Sequence, residues 1–273
     1  MWETEIEETI RHAQKANIVV AQLTEQLDLY KFDNCDERIL VALPLLKSSI
    51  DVAAAAIKLL TLNPVEYGGA AEAMFRLQLE RYMRAVFFGS PALTDNDEVR
   101  AFREDDKMPV RPKPRPGKTG RAISFDTLTT SVGEEIAKQT GKEAEALASG
   151  LANAIIFEKE GLHGAVHGGR FVIRRYSSDG GVLAHNPWAL AQGYHIKCVM
   201  LIALLALVQA AHLHGLRKGS NVFLVTREFE ELLRQSLPEM PNPLTPSFAS
   251  WAVNYVPSES VERHSDDVCT CRN

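Results

Sequence analysis

The segment EKEGLHGAVHGGRFVIRR, residues 158–175, sets His163 and His167 four apart and follows them with Arg170, Arg174 and Arg175. Imidazole gains or loses a proton near neutrality, and a guanidinium holds phosphate oxygens in a planar fork. That pairing suits acid–base work beside a phosphate. If the helix reaches Arg170, then His163, His167 and Arg170 share one face. Gly161, Gly164, Ala165 and Gly168 share another, where a second backbone could approach closely. Glycine inside a helix costs up to about 1 kcal/mol relative to alanine, so its repetition points to tight packing or to a site. The alternative is two ordinary surface or capping histidines.

A second stretch, FRLQLERYMR, puts Arg76, Glu80 and Arg84 at successive four-residue steps on one helical face. On a solvated helix such a ladder contributes only about 0.3–0.5 kcal/mol per pair. Here Met74, Phe75, Leu79, Tyr82, Ala85 and Val86 surround it. That predicts burial on more than one side, with Glu80 holding both arginines. A third group, Arg111, Lys113, Arg115 and Lys118, lies in DDKMPVRPKPRPGKTGR and could grip a polyanion through phosphate contacts. A solvated loop has the same composition.

Metal chemistry has less support. Glu160-x-x-His163 has the spacing of a bundle di-iron motif, but such sites need two of these motifs and further carboxylates. The HxxxH pair lacks the glutamate that zinc peptidases place after the first histidine. No metal or cofactor is therefore expected. Pro116-Gly117-Lys118-Thr119 imitates a phosphate loop, but Pro112 stands where its upstream glycine belongs.

The elements that must carry these residues are helical. Ile6, Ile10, Ala13, Val20, Leu23 and Leu27 form one stripe from Glu3 to about Tyr30. A second helix is predicted over Asp36–Leu62, with Pro44 kinking it or splitting it into two stacked pieces. A third is predicted over Pro64–Phe88, and a short fourth capped by Thr94 or Asp95. Further helices are expected at Ser124–Thr140, Lys142–Glu158, the HxxxH segment and Thr226–Gln235. Residues 171–176 could be extended. Pro187–His214 reads as a long apolar helix. Its run from Cys198 to Ala211, broken only by Gln209, is too short for a membrane span and suits a buried core helix. The sum is an all-α bundle of seven to nine helices around that central helix. Residues 1–245 are expected to form a single domain with a Pro/Lys/Arg-rich loop at about 105–121, and 246–273 a disordered tail.

The 273 residues are 45% hydrophobic and 24% charged, enough for a sizeable core. A net charge of −5 excludes a uniformly basic nucleic-acid binder, so any polyanion site must be local. The acidic opening MWETEIEETI lacks a signal-peptide core. Cys35, Cys198, Cys269 and Cys271 suggest no disulfide framework, and the tail string HSDDVCTC no more than incidental metal binding. A cytoplasmic protein without a membrane segment is expected.

Through GGAAEAMFRLQLERYMRAVFF, ALTDNDEVRAFREDDKMP and LHGAVHGG, the chain resembles a group of bacterial all-helical proteins of unknown function. The resemblance covers most of Val41 to Asn221. That group in turn resembles, more distantly, the HEPN superfamily of dimeric helical domains, many of them ribonucleases in toxin–antitoxin and antiphage systems. The resemblance implies a homodimer acting on RNA or a nucleotide without a metal. HEPN nucleases space an arginine and a histidine four to six residues apart on one helix. This sequence departs from that: His167 precedes Arg170, and Arg175 to His185 is too long a gap. A comparable cluster would instead form between helices, from Arg76, Glu80, His163, His167 and Arg170. The competing expectation is a non-enzymatic interaction or regulatory module in which the same cluster is structural; a metal-dependent enzyme is a third.

Overall fold

The computed structural model describes residues 2–30, 35–111, 120–140, 177–178, 181–182 and 192–218. These form six helices: α1 (Trp2–Leu29), α2 (Glu37–Leu62), α3 (Pro64–Gly89), α4 (Asn96–Asp105), α5 (Phe125–Thr140) and α6 (Gln192–Lys218). The one strand pair among them is two residues on each side, Ser177–Ser178 with Gly181–Val182, antiparallel. The protein is all-α in its described part. The helices expected at Lys142–Glu158, at HxxxH and at Thr226–Gln235, the extended residues 171–176 and the tail 246–273 lie outside the described residues.

In α1 the buried stripe is Ala13, Ala16, Val19, Val20, Leu23 and Leu27, at three- and four-residue spacing. It packs against α2 and α6. Asp36 starts α2 by accepting the Ile39 N–H at 2.9 Å. The helix then passes through Pro44 as one element, where two stacked pieces were the alternative. Pro44 is exposed and Leu40, four residues earlier, is 48% exposed. The carbonyl that proline leaves without a helical donor therefore lies on the solvent side, where water can satisfy it.

Asn63 ends α2 and begins α3. Its N–H donates to the Leu59 carbonyl, and its side chain accepts from the Val65 and Glu66 N–H groups at 3.0 and 3.1 Å. Pro64, at the first helical position, has no N–H to leave unsatisfied. With one residue between them, the two helices fold back as an antiparallel hairpin. Ser49 Oγ donates to the Gln78 carbonyl midway along it, and Arg38 reaches the Phe88 and Ser90 carbonyls at the far end. Gly89 closes α3 against α2 and α6: a Cβ there would lie 3.3 Å from Ala42 Cβ and 3.7 Å from a Leu213 methyl.

A capping box begins α4. Asp95 accepts the Glu98 N–H and Glu98 accepts the Asp95 N–H. Its end at Asp106 turns left-handed, φ 53°. Beyond it, an isolated antiparallel bridge joins Val110 to Ala122, and the Ile123 N–H donates to the Pro109 carbonyl at 2.8 Å. The two ends of the basic loop are thus held side by side. Ser124 Oγ accepts the Thr127 N–H at the start of α5. That helix buries Leu128, Val132 and Ile136 on α3.

In α6, every residue from Val199 to Leu207 is buried. Nine consecutive positions cover the whole circumference of a helix. Gln78 of α3, fully buried, donates its Nε2 to the Val199 carbonyl at 2.8 Å. One contiguous apolar core draws on all six helices. Among the described residues one helix, α2, is long and apolar enough to cross a membrane; eight of its residues are buried in this core.

Candidate functional site

Four charged residues occupy one edge of α3 at four-residue steps: Glu72, Arg76, Glu80 and Arg84. Glu80 divides its carboxylate between its neighbours. Oε1 accepts from Arg84 Nη2 at 2.7 Å, and Oε2 lies 3.9 Å from Arg76 Nη2. The side chains of Arg76, Glu80 and Arg84 are 12%, 31% and 30% exposed, so the ladder is partly sunk in the bundle rather than solvated. Glu72, at 2% exposure, is its most buried member.

Aromatic rings wall this edge. The Arg76 guanidinium carbon lies 3.5 Å from the centroid of Phe125, the first residue of α5. The Arg84 guanidinium carbon lies 5.9 Å from that of Phe102 on α4. Phe102 in turn stacks on Phe88, 4.1 Å between centroids and 18° between planes. The ring face is the negative pole of its quadrupole, so each arginine is attracted to its wall. Arg84 Nε is buried and has no hydrogen-bond partner among the described residues. The expected convergence of Arg76 and Arg84 on Glu80 is present. His163, His167 and Arg170, the other half of the expected cluster, lie outside the described residues.

The basic loop contributes one described residue. Arg111 grips both Glu98 oxygens and also donates to the Leu93 carbonyl at 3.3 Å. Lys113, Arg115 and Lys118 lie outside the described residues. Arg111 borders an open depression of about 410 Å³ shared with Arg38, Leu93, Thr94, Asp95 and Glu98. Arg38 spends its donors on four neutral acceptors there: the Phe88, Ser90 and Thr94 carbonyls and Thr94 Oγ1. It closes the C-terminal end of α3, where arginine complements the helix dipole.

The Arg111 fork holds the Glu98 carboxyl below its ordinary value of 4.5, against an opposing push from burial; the Asp95 N–H adds to the lowering. A carboxyl depressed by folding stabilises the protein above its unfolded-state pKa and loses that contribution as pH falls through the lower, folded value. Urea unfolding is therefore expected to show stability falling as pH drops below about 4.5, with Glu98→Gln flattening part of the decline. An unchanged acid limb in that variant would remove Glu98 from the account.

Elsewhere, Ser90 Oγ donates to buried Glu135 at 2.7 Å, and burial lowers the His212 pKa against an opposing pull from Glu135. Among the described residues no group of three histidine, cysteine or carboxylate side chains could hold a metal.

The described part is thus an all-α protein carrying a half-buried, aromatic-walled arginine–glutamate ladder. No protein-family model matches the chain, and neither a curated protein nor a solved structure is significantly similar to it.

Sequence reasoning found three rungs of the ladder and missed Glu72. Its signal was available: an acid four residues before Arg76 on an otherwise apolar turn. Phe125 and Phe102 carry no such local sign, because each meets α3 from a distant part of the sequence.

Proposed function

We propose that this chain is an HEPN-like helical protein acting on RNA or a nucleotide, as a cytoplasmic homodimer in a bacterial toxin or antiphage system. The observation that carries the reading is Arg84: its side chain is 30% exposed, and among the described residues Glu80 engages it through Nη2 alone. A guanidinium so fixed retains donors for a phosphate oxygen. In this mechanism His167, assisted by His163, moves the proton of a 2′-hydroxyl or of the leaving oxygen. Arg84 and Arg170 stabilise the charge that develops on the phosphate. Glu80 orients Arg84, and no metal takes part.

Cleavage of a labelled single-stranded oligoribonucleotide tests it. Arg84→Gln is expected to lower the rate by about 10–100-fold, the worth of one charge-assisted hydrogen bond. An undiminished rate would remove Arg84 from the site and the reading with it.

A second reading is an interaction or regulatory module in which the ladder serves as structure. The burial of Arg76 and Glu72 and the sharing of Glu80 favour it. In that case Arg84→Gln lowers the melting temperature and the wild-type protein does not cleave RNA.

A further inference from the structure

We propose that Phe125 is a positioning residue of this site, acting on the phosphate-binding arginine through Arg76 and Glu80; the proposal rests on the reading of Arg84 as the phosphate ligand. Phe125 opens α5, with Ser124 accepting the Thr127 N–H beneath it and the Ile123 N–H tied to Pro109 just before it. The ring is therefore delivered by fixed backbone on the α5 side. Arg76 is carried by α3, and its guanidinium carbon sits 3.5 Å from the ring centroid. With 12% of its side chain exposed, Arg76 has little water to compete with that contact.

The consequence passes along the ladder. Arg76 held on the ring keeps its Nη2 3.9 Å from Glu80 Oε2, within electrostatic reach. Glu80 then offers only Oε1 to Arg84, at 2.7 Å. A carboxylate released from Arg76 could rotate to take Arg84 with both oxygens, as Glu98 takes Arg111. Arg84 would then have its donors occupied by Glu80 and fewer left for a ligand. Phe125 thus keeps Glu80 from capturing Arg84 completely.

The test measures steady-state cleavage of a labelled single-stranded oligoribonucleotide by the full chain, together with thermal melting. Phe125→Leu keeps an apolar side chain but loses the ring face. It is expected to raise KM about tenfold, the scale of a desolvated cation–π contact, and to leave the pH profile of kcat unchanged. Phe125→Tyr, which keeps the face, restores KM. In an Arg76→Gln background Phe125→Leu is expected to add nothing further. Equal KM for the Leu and wild-type proteins, or failure of Tyr to restore it, overturns the positioning role while leaving Arg84 in place. If Arg84→Gln itself has no effect on cleavage, the reading beneath falls and this proposal with it.

Discussion

Phe88→Ala is expected to destabilise the protein by about 3–5 kcal/mol, the usual cost of emptying a buried phenylalanine site. Phe88 has no exposed surface. It meets Phe87 edge-on at 5.4 Å and Phe102 face-on at 4.1 Å. Its own carbonyl accepts from Arg38, so backbone and ring are fixed from opposite partners. The Arg38 bond to the Phe88 carbonyl survives the substitution and holds the backbone in place, which limits collapse into the cavity and places the cost toward the upper part of that range. The stacked Phe102 would also lose the support that sets it under Arg84. Urea unfolding with an unchanged m-value checks the prediction. A loss below about 1 kcal/mol would mean that the site relaxes freely and that the aromatic wall is not rigid.

His167→Ala is expected to lower RNA cleavage by about 10²–10⁴-fold, the contribution of a positioned general acid or base. His163→Ala tests the assisting imidazole in the same assay. Attack of a 2′-hydroxyl on the adjacent phosphate, with departure of the 5′-oxygen, needs a group that takes one proton and gives another near pH 7, and arginine cannot do this. The ladder on α3 supplies cations and carboxylates only. An alanine variant that cleaves RNA at the wild-type rate, with an unaltered melt, would sink the mechanism. One that merely melts earlier would favour the module reading.

Much of the helical framework could be read from local pattern. The stripe of α1, the Asn63-Pro64 boundary and the Asp95 cap are signals contained within a few residues, and each appears where expected. Pro44 was legible as a helix breaker, but its tolerance depends on which side of α2 faces water. That is a tertiary fact. Arg76, Glu80 and Arg84 were legible because helical spacing alone puts them on one face. The arginines' aromatic partners were not, since Phe125 lies 49 positions beyond Arg76 and nothing local joins them. Arg38 was missed for the same reason. Its acceptors, the carbonyls of Phe88, Ser90 and Thr94, are backbone groups at the other end of a hairpin. Composition shows Arg111 only as one cation of a basic run that could grip a polyanion or lie in a solvated loop; the carboxylate that engages it belongs to a capping box thirteen residues earlier.

The single residue between α2 and α3 has an evolutionary consequence. A hinge of several residues absorbs insertions; a shared cap does not. One amino acid added after Asn63 would turn everything downstream on α3 by about 100° about its axis. Leu79 and Met83 would move into the half-exposed places of Glu80 and Arg84, and Arg81 and Arg84 into the buried places of Tyr82 and Ala85. Descendants of this chain can therefore drift in residue type along α3 far more easily than in the length of its junction with α2.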